Sequence, residues 1–148
     1  MLHCALPASV DLLALHRRYP ERYPFLLQSV AAHPQAGRHD LLLAFPEDAI
    51  EARAGDGDFF SALDHAAARV PRSGNPGLPF VGGWFLLAGY EAVRWVEPKL
   101  ALPASPYQLP DALAVRCTGA IIIDRLAGTA LALSEASAAA LKQIEQDC

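Results

Sequence analysis

Long apolar runs are scarce in this sequence, and so are clustered cations and cysteines. The apolar stretches Leu41–Phe45, Phe80–Val81 and Ala120–Ile123 fall far short of the ~20 residues that a membrane-spanning helix needs. Lysine and arginine total 12 against 16 acidic residues, for a net charge of −4, whereas a nucleic-acid footprint needs concentrated positive charge. The densest basic group, Arg17, Arg18 and Arg22, has Glu21 within it and reads as a solvated helix end. The three cysteines, Cys4, Cys117 and Cys148, are odd in number and far apart, which fits neither a disulfide framework nor a zinc site. The start, Met1-Leu2-His3-Cys4, lacks a basic region followed by an apolar one, so no secretory leader is read there and a reducing, cytoplasmic setting is expected.

Signatures of chemistry are missing too. No GxSxG, GxxxxGK or HExxH occurs, which removes the common hydrolase, phosphate-loop and zinc-protease readings. Gly55-Asp56-Gly57 lacks the third glycine of a dinucleotide fingerprint and reads as a turn. His3, His16, His33, His39 and His65 show no metal-ligand spacing. What remains is plentiful apolar content, 53% against 19% charged residues, in a 148-residue chain long enough to bury a core. A folded, non-catalytic chain is the expectation.

Periodicity predicts the elements. Val10, Leu12, Leu13 and Leu15 have helical spacing behind a Ser9/Asp11 start, giving a helix to Arg18. Tyr23–Val30 and Leu41–Phe45 read as strands joined by turn chemistry at His33–Gly37, and Ala49–Arg53 as another strand. Asp58 caps a helix to Val70 whose buried face is predicted as Phe60, Leu63, Ala67 and Val70. Pro71–Pro79 reads as a loop, Phe80–Leu87 as a strand and Tyr90–Val96 as a short helix. After a Pro-rich loop from Pro98 to Pro110, Ala112–Asp124 and Thr129–Leu133 form a hairpin. A helix over Ser134–Gln146, capped by Ser134, closes the chain. The order of strands and helices is too mixed for a parallel array, so the fold expected is α+β with a mainly antiparallel sheet and helices packed on one face.

One segment stands out: Leu78-Pro79-Phe80-Val81-Gly82-Gly83-Trp84, followed by Gly89-Tyr90-Glu91. Adjacent glycines in an apolar run cost backbone entropy and pack nothing. They mark a bend, or a close approach by another segment or a ligand. Glu91, Arg94 and Glu97 follow at three-residue spacing, which permits local ion pairing on a helix.

Pro79-Phe80-Val81-Gly82-Gly83, Gly89-Tyr90-Glu91, Arg94 and Glu97 resemble the P-F-x-G-G…G-Y-[DE]…R…E signature of chorismate-utilising enzymes. The chain is similar to the N-terminal region of component I of aminodeoxychorismate synthase and of its relative, anthranilate synthase. Further matches lie in register. Leu26-Leu27-Gln28-Ser29 resembles a Leu-Leu-x-Ser strand, and Gly37–Leu42 an Arg-Phe-Asp segment in the form of the aminodeoxychorismate branch. Leu109-Pro110-Asp111 and Ala120–Asp124 resemble later Pro-Asp and strand-plus-Asp elements. The likeness covers residues 23–133. The chain departs from it at Leu86 and Val93, where the family has glycine, and at His39, where an aromatic residue is common.

The resemblance implies an N-terminal, non-catalytic domain spanning residues 1–148, half of a four-layer α/β/β/α arrangement. The parent enzyme of this kind converts chorismate and ammonia to 4-amino-4-deoxychorismate in p-aminobenzoate and folate biosynthesis. Its chemistry and its magnesium belong to a chorismate-binding catalytic domain, absent from these residues, and a glutamine amidotransferase partner supplies the ammonia. No catalytic or metal residue is therefore expected in this chain. Leu27, Ser29 and Arg38 match positions lining a tryptophan pocket, where the Ser29 hydroxyl can both donate to and accept from a ligand's polar end. Gly82, Gly83, Gly89, Tyr90, Glu91 and Arg94 make up the structural motif. Alternatives are the N-terminal regulatory domain of anthranilate synthase component I, a stand-alone amino-acid-binding module, or a scaffolding domain. A sheet without its partner layer would expose an apolar face, so a homodimer is expected of the isolated chain.

Overall fold

The computed structural model describes residues 1–29, 37–70, 77–103, 105–135 and 137–148. The chain runs β1 (Leu2–Leu6), α1 (Leu12–Arg18), β2 (Phe25–Leu27), β3 (His39–Ala52), α2 (Phe59–Ala67) and β4 (Gly83–Ala88). A 3-10 helix (Tyr90–Trp95) follows, then β5 (Ala112–Asp124), β6 (Thr129–Ser134) and α3 (Ala138–Asp147). Six strands form one antiparallel sheet in the order β1-β6-β5-β3-β2, with β4 also pairing β5. The α+β class read from the sequence is the one observed.

By contact density the chain divides into two compact units. The first comprises Met1–Glu47, Ser73–Gly83 and Cys117–Cys148. Its core is Leu12, Leu15, Tyr23, Leu42, Ala44, Ile121, Ala132 and Ile144. Alternation explains the strand contributions: Leu42 and Ala44 lie two apart on β3, and Ile121 stands opposite Ala132 across the β5–β6 ladder. Cys4 of β1 pairs with Ala132 from the other side. Helices α1 and α3 contribute Leu12, Leu15 and Ile144 to the same core. Each large aliphatic chain so buried contributes about 1.5–3 kcal/mol. The second unit, Asp48–Arg72 and Trp84–Arg116, gathers Ala52, Phe59, Ala92, Ala112 and Ala114, with Trp84 and Trp95 packed on them.

Several sequence expectations are corrected. The separate strands over Leu41–Phe45 and Ala49–Arg53 are one, β3. Proline inside a strand usually signals its end; here the strand continues through Pro46, with Phe45 just before it at φ 56°. The strand expected over Tyr23–Val30 shortens to β2; Tyr23 is spent in the core and its carbonyl accepts from His16 Nδ1 at 2.7 Å. Val30, the turn residues from His33 to Ala36, and most of the Pro71–Pro79 loop lie outside the described residues. In α2 the buried aromatic is Phe59, while Phe60 is exposed. Ser134 ends β6 and is buried, and the cap of α3 is Ser137, which accepts from the Ala140 N–H. Strand β1 carried no recognised signal: its pairing is with β6, at the far end of the sequence.

The hairpin and the short helix match closely. β5, paired with other strands at both edges, is buried along most of its length. Tyr90–Trp95 forms just after Gly89, as a 3-10 helix.

Candidate functional site

β2 and β3 pair antiparallel with Phe25 opposite Leu43, Leu26 opposite Leu42 and Leu27 opposite Leu41. Side chains alternate across a strand, so Leu42 enters the core while the Leu27–Leu41 pair faces the other way. A groove of about 410 Å³ lies beside this pair. Leu26, Leu27, Gln28 and Ser29 form one wall; Gly37, His39 and Leu41 form the other. Leucine side chains supply an apolar lining, and a hydroxyl, an amide and an imidazole supply polar contacts. Such a surface can hold a small molecule with an apolar body and a polar end.

The turn between β5 and β6 ties down the residues around this groove. Arg38 donates from Nε and Nη2 to the Asp124 carboxylate at 3.0 and 2.5 Å. Asp124 also accepts from the Leu126 and Ala127 N–H groups, each at 3.0 Å. The bond from Arg38, then that from Ala127, holds its carboxyl well below the usual carboxylate range. His39 Nε2 lies 3.7 Å from Asp124 Oδ2. Arg125 grips buried Asp40 through Nε at 2.9 Å and Nη2 at 2.7 Å, and donates from Nη1 to the Ser29 carbonyl at 2.5 Å.

Of the three residues matched to a ligand pocket, Leu27 and Ser29 line the groove. Arg38 lies beside it with its guanidinium engaged by Asp124. Gln28, His39 and Leu41 complete the lining. The period-2 pattern of β3 could have placed His39 and Leu41 on the face of Leu27, but only once the register was known. Arg125 had no such signal, since its partners are 85 and 96 positions away.

The motif residues occupy structural positions. Gly82 has φ 105°, and a Cβ there would overlap the Glu135 side chain. The segment that comes close to Gly82 is thus the residue just after β6, while Gly83 faces the Phe80 ring. In the second unit the Gly89 N–H donates to the Asp111 carbonyl at 2.8 Å. Arg94 reaches the Asp111 carboxylate at 3.3 Å and the Glu91 carbonyl at 3.0 Å. The ion pair expected of Arg94 with Glu91 or Glu97 is made instead with Asp111 of the Pro-Asp element, which is buried, and Glu91 is met only at its backbone carbonyl. Tyr90 is largely exposed, at 82%. Among the described residues no group of three or more His, Cys, Asp or Glu side chains is placed to hold a metal, and no helix is long and apolar enough to cross a membrane.

An antiparallel sheet with helices packed on it, carrying a groove beside its short β2 strand, defines the class of structure. The sequence is similar to anthranilate synthase component 1 of Synechocystis sp. (strain ATCC 27184 / PCC 6803 / Kazusa), at 28% identity over 120 residues, covering 70% of this chain and 24% of that protein. This supports homology to anthranilate synthase component I, and the chain spans about a quarter of that relative's length. The fold is shared with anthranilate synthase component I from Streptococcus pneumoniae TIGR4, with a TM-score of 0.60 and 19% identity over 80% of this chain and 30% of that one. No protein-family model matches the chain.

Proposed function

We propose that these 148 residues are the N-terminal, non-catalytic domain of a component I enzyme that acts on chorismate, and that the β2–β3 groove binds tryptophan or a similar amino acid. The observation that carries this reading is the coincidence of two independent features. Leu27 and Ser29, matched to a ligand pocket by resemblance, line the groove. The leucines suit an indole, and the Ser29 hydroxyl suits an ammonium or carboxylate. Within the family we assign the chain to the aminodeoxychorismate branch, on the form of its Arg38-His39-Asp40 segment. Magnesium, a glutamine amidotransferase and the chorismate-binding catalytic domain belong to the assembled enzyme under this proposal.

Calorimetric titration with L-tryptophan tests the binding reading. A heat of binding or a raised melting temperature is expected, with Ser29→Ala weakening affinity about 10- to 100-fold, as for one lost hydrogen bond to a charged group. No heat and no thermal shift would remove it. The purified chain given chorismate, ammonium and magnesium should yield no aminodeoxychorismate; product formation would overturn the non-catalytic assignment. The branch is tested by co-expression with a chorismate-binding catalytic fragment. Rescue of a p-aminobenzoate requirement supports the aminodeoxychorismate branch, and rescue only of a tryptophan requirement points to anthranilate synthesis. That second reading, a regulatory domain of anthranilate synthase component I, is favoured by the 28% identity to such a protein.

A further inference from the structure

We propose that Arg125 is a positioning residue for the groove, fixing the separation of its two walls and so its affinity, without touching the ligand. The inference deepens the reading of the groove as a ligand site and rests on it.

The argument starts from how little holds the β2 wall. β2 has three residues, Phe25–Leu27, and its register with β3 ends at the Leu27–Leu41 pair. Gln28 and Ser29 line the groove beyond that ladder. Ser29 is nevertheless tied: its carbonyl accepts from Arg125 Nη1 at 2.5 Å. The same guanidinium donates from Nε to Asp40 Oδ2 at 2.9 Å, with Nη2 in ion-pair contact with Oδ1 at 2.7 Å. Asp40 is buried between His39 and Leu41, which line the opposite wall. The backbone N–H of Arg125 also donates to the Arg38 carbonyl at 2.8 Å. One planar fork therefore spans the two walls.

The chemistry is specific to arginine. A guanidinium presents several donors in fixed directions, so it can hold a carboxylate with one edge and a carbonyl with another. A lysine ammonium keeps the charge and can still meet Asp40, but it is a point on a flexible stem. The bond to a buried carboxylate also separates this contact from exposed ion pairs, which contribute little. Losing the fork should leave the core of the first unit intact and release Gln28 and Ser29. A site whose walls are no longer held must order them on binding, and that cost appears as lost affinity.

The test compares Arg125→Lys with the unaltered chain by two readouts. Hydrogen–deuterium exchange needs no ligand: faster exchange confined to residues 26–29 is expected, with 121–133 unchanged. Calorimetry with L-tryptophan should show affinity weakened about tenfold, with the melting temperature close to that of the parent. Asp40→Asn, which loosens the other end of the fork, should give the same exchange pattern. Unchanged exchange at 26–29 overturns the proposal. Exchange that rises across the whole β5–β6 hairpin assigns Arg125 a general structural role and also overturns it. Equal tryptophan affinity in both chains overturns the link to binding. If the unaltered chain takes up no tryptophan, the ligand reading fails by itself, and the exchange result still decides whether Arg125 holds the walls.

Discussion

Asp147, next to the last residue, is nearly buried and accepts from three side chains. The Tyr23 hydroxyl donates at 2.6 Å, Arg22 Nη1 at 2.5 Å and Gln143 Nε2 at 3.0 Å. Burial alone pushes the Asp147 carboxyl up, but the bonds from Tyr23, Arg22 and Gln143 outweigh it and leave it below its ordinary value. Burial, then the bond to Asp147, drives the Tyr23 phenol far above the usual tyrosine range. A carboxylate whose folded pKa is depressed stabilises the fold above its unfolded value of about 3.9. That contribution is lost as pH falls through the folded pKa. Melting temperatures between pH 6 and pH 3 should therefore fall for the parent chain. Asp147→Asn should begin lower at pH 6, by about 1.5–3 kcal/mol for the lost charged bonds, and decline less steeply. Parallel melting curves for the two chains across this range would contradict the assignment.

Where two strands cross closely, single atoms decide whether an element fits. Gly119 of β5 faces the Phe45 ring, and a Cβ there would stand 2.9 Å from Phe45 Cδ2 and 3.0 Å from the Leu133 carbonyl oxygen. The ring could shift; the ladder carbonyl cannot without moving β6. Phe45 is itself held in the left-handed region, a cost of about 1–2 kcal/mol for a residue with a Cβ. Neighbours hold it there: its N–H donates to the Arg22 carbonyl at 2.9 Å and its carbonyl accepts from the Thr118 hydroxyl at 3.4 Å. Gly119→Ala should cost about 1–3 kcal/mol. Gly82→Ala, which demands a positive φ and collides with Glu135, should cost a similar ~1–3 kcal/mol. In urea titrations both should lower the midpoint with the slope unchanged.

At the scale of the whole molecule, apolar side chains remain at the surface of the second unit. Leu86, Tyr90, Val96, Tyr107 and Leu109 are each more than half exposed. Apolar surface of this kind, if contiguous, favours association. We propose a homodimer of the isolated chain in solution, and sedimentation should give twice the monomer mass at high concentration. A clean monomer there would dismiss the dimer.

Local chemistry made the β5–β6 hairpin, the short helix after Gly89 and the caps at Asp11 and Asp58 readable in the sequence, because each depends on neighbours within a few residues. Leu27 and Ser29 were legible only through the resemblance of Leu26-Leu27-Gln28-Ser29 to a family motif. The sequence by itself determined an α+β chain with an antiparallel sheet. Only the tertiary structure decided that β1 joins the sheet beside β6 and that β3 runs through Pro46 as one strand. It alone brought Arg125 to Ser29 and Asp40, and Asp147 to Tyr23. The physical reason is distance along the chain: these contacts join residues 85 to 124 positions apart. No local pattern records such a pairing, which exists only once the core has closed.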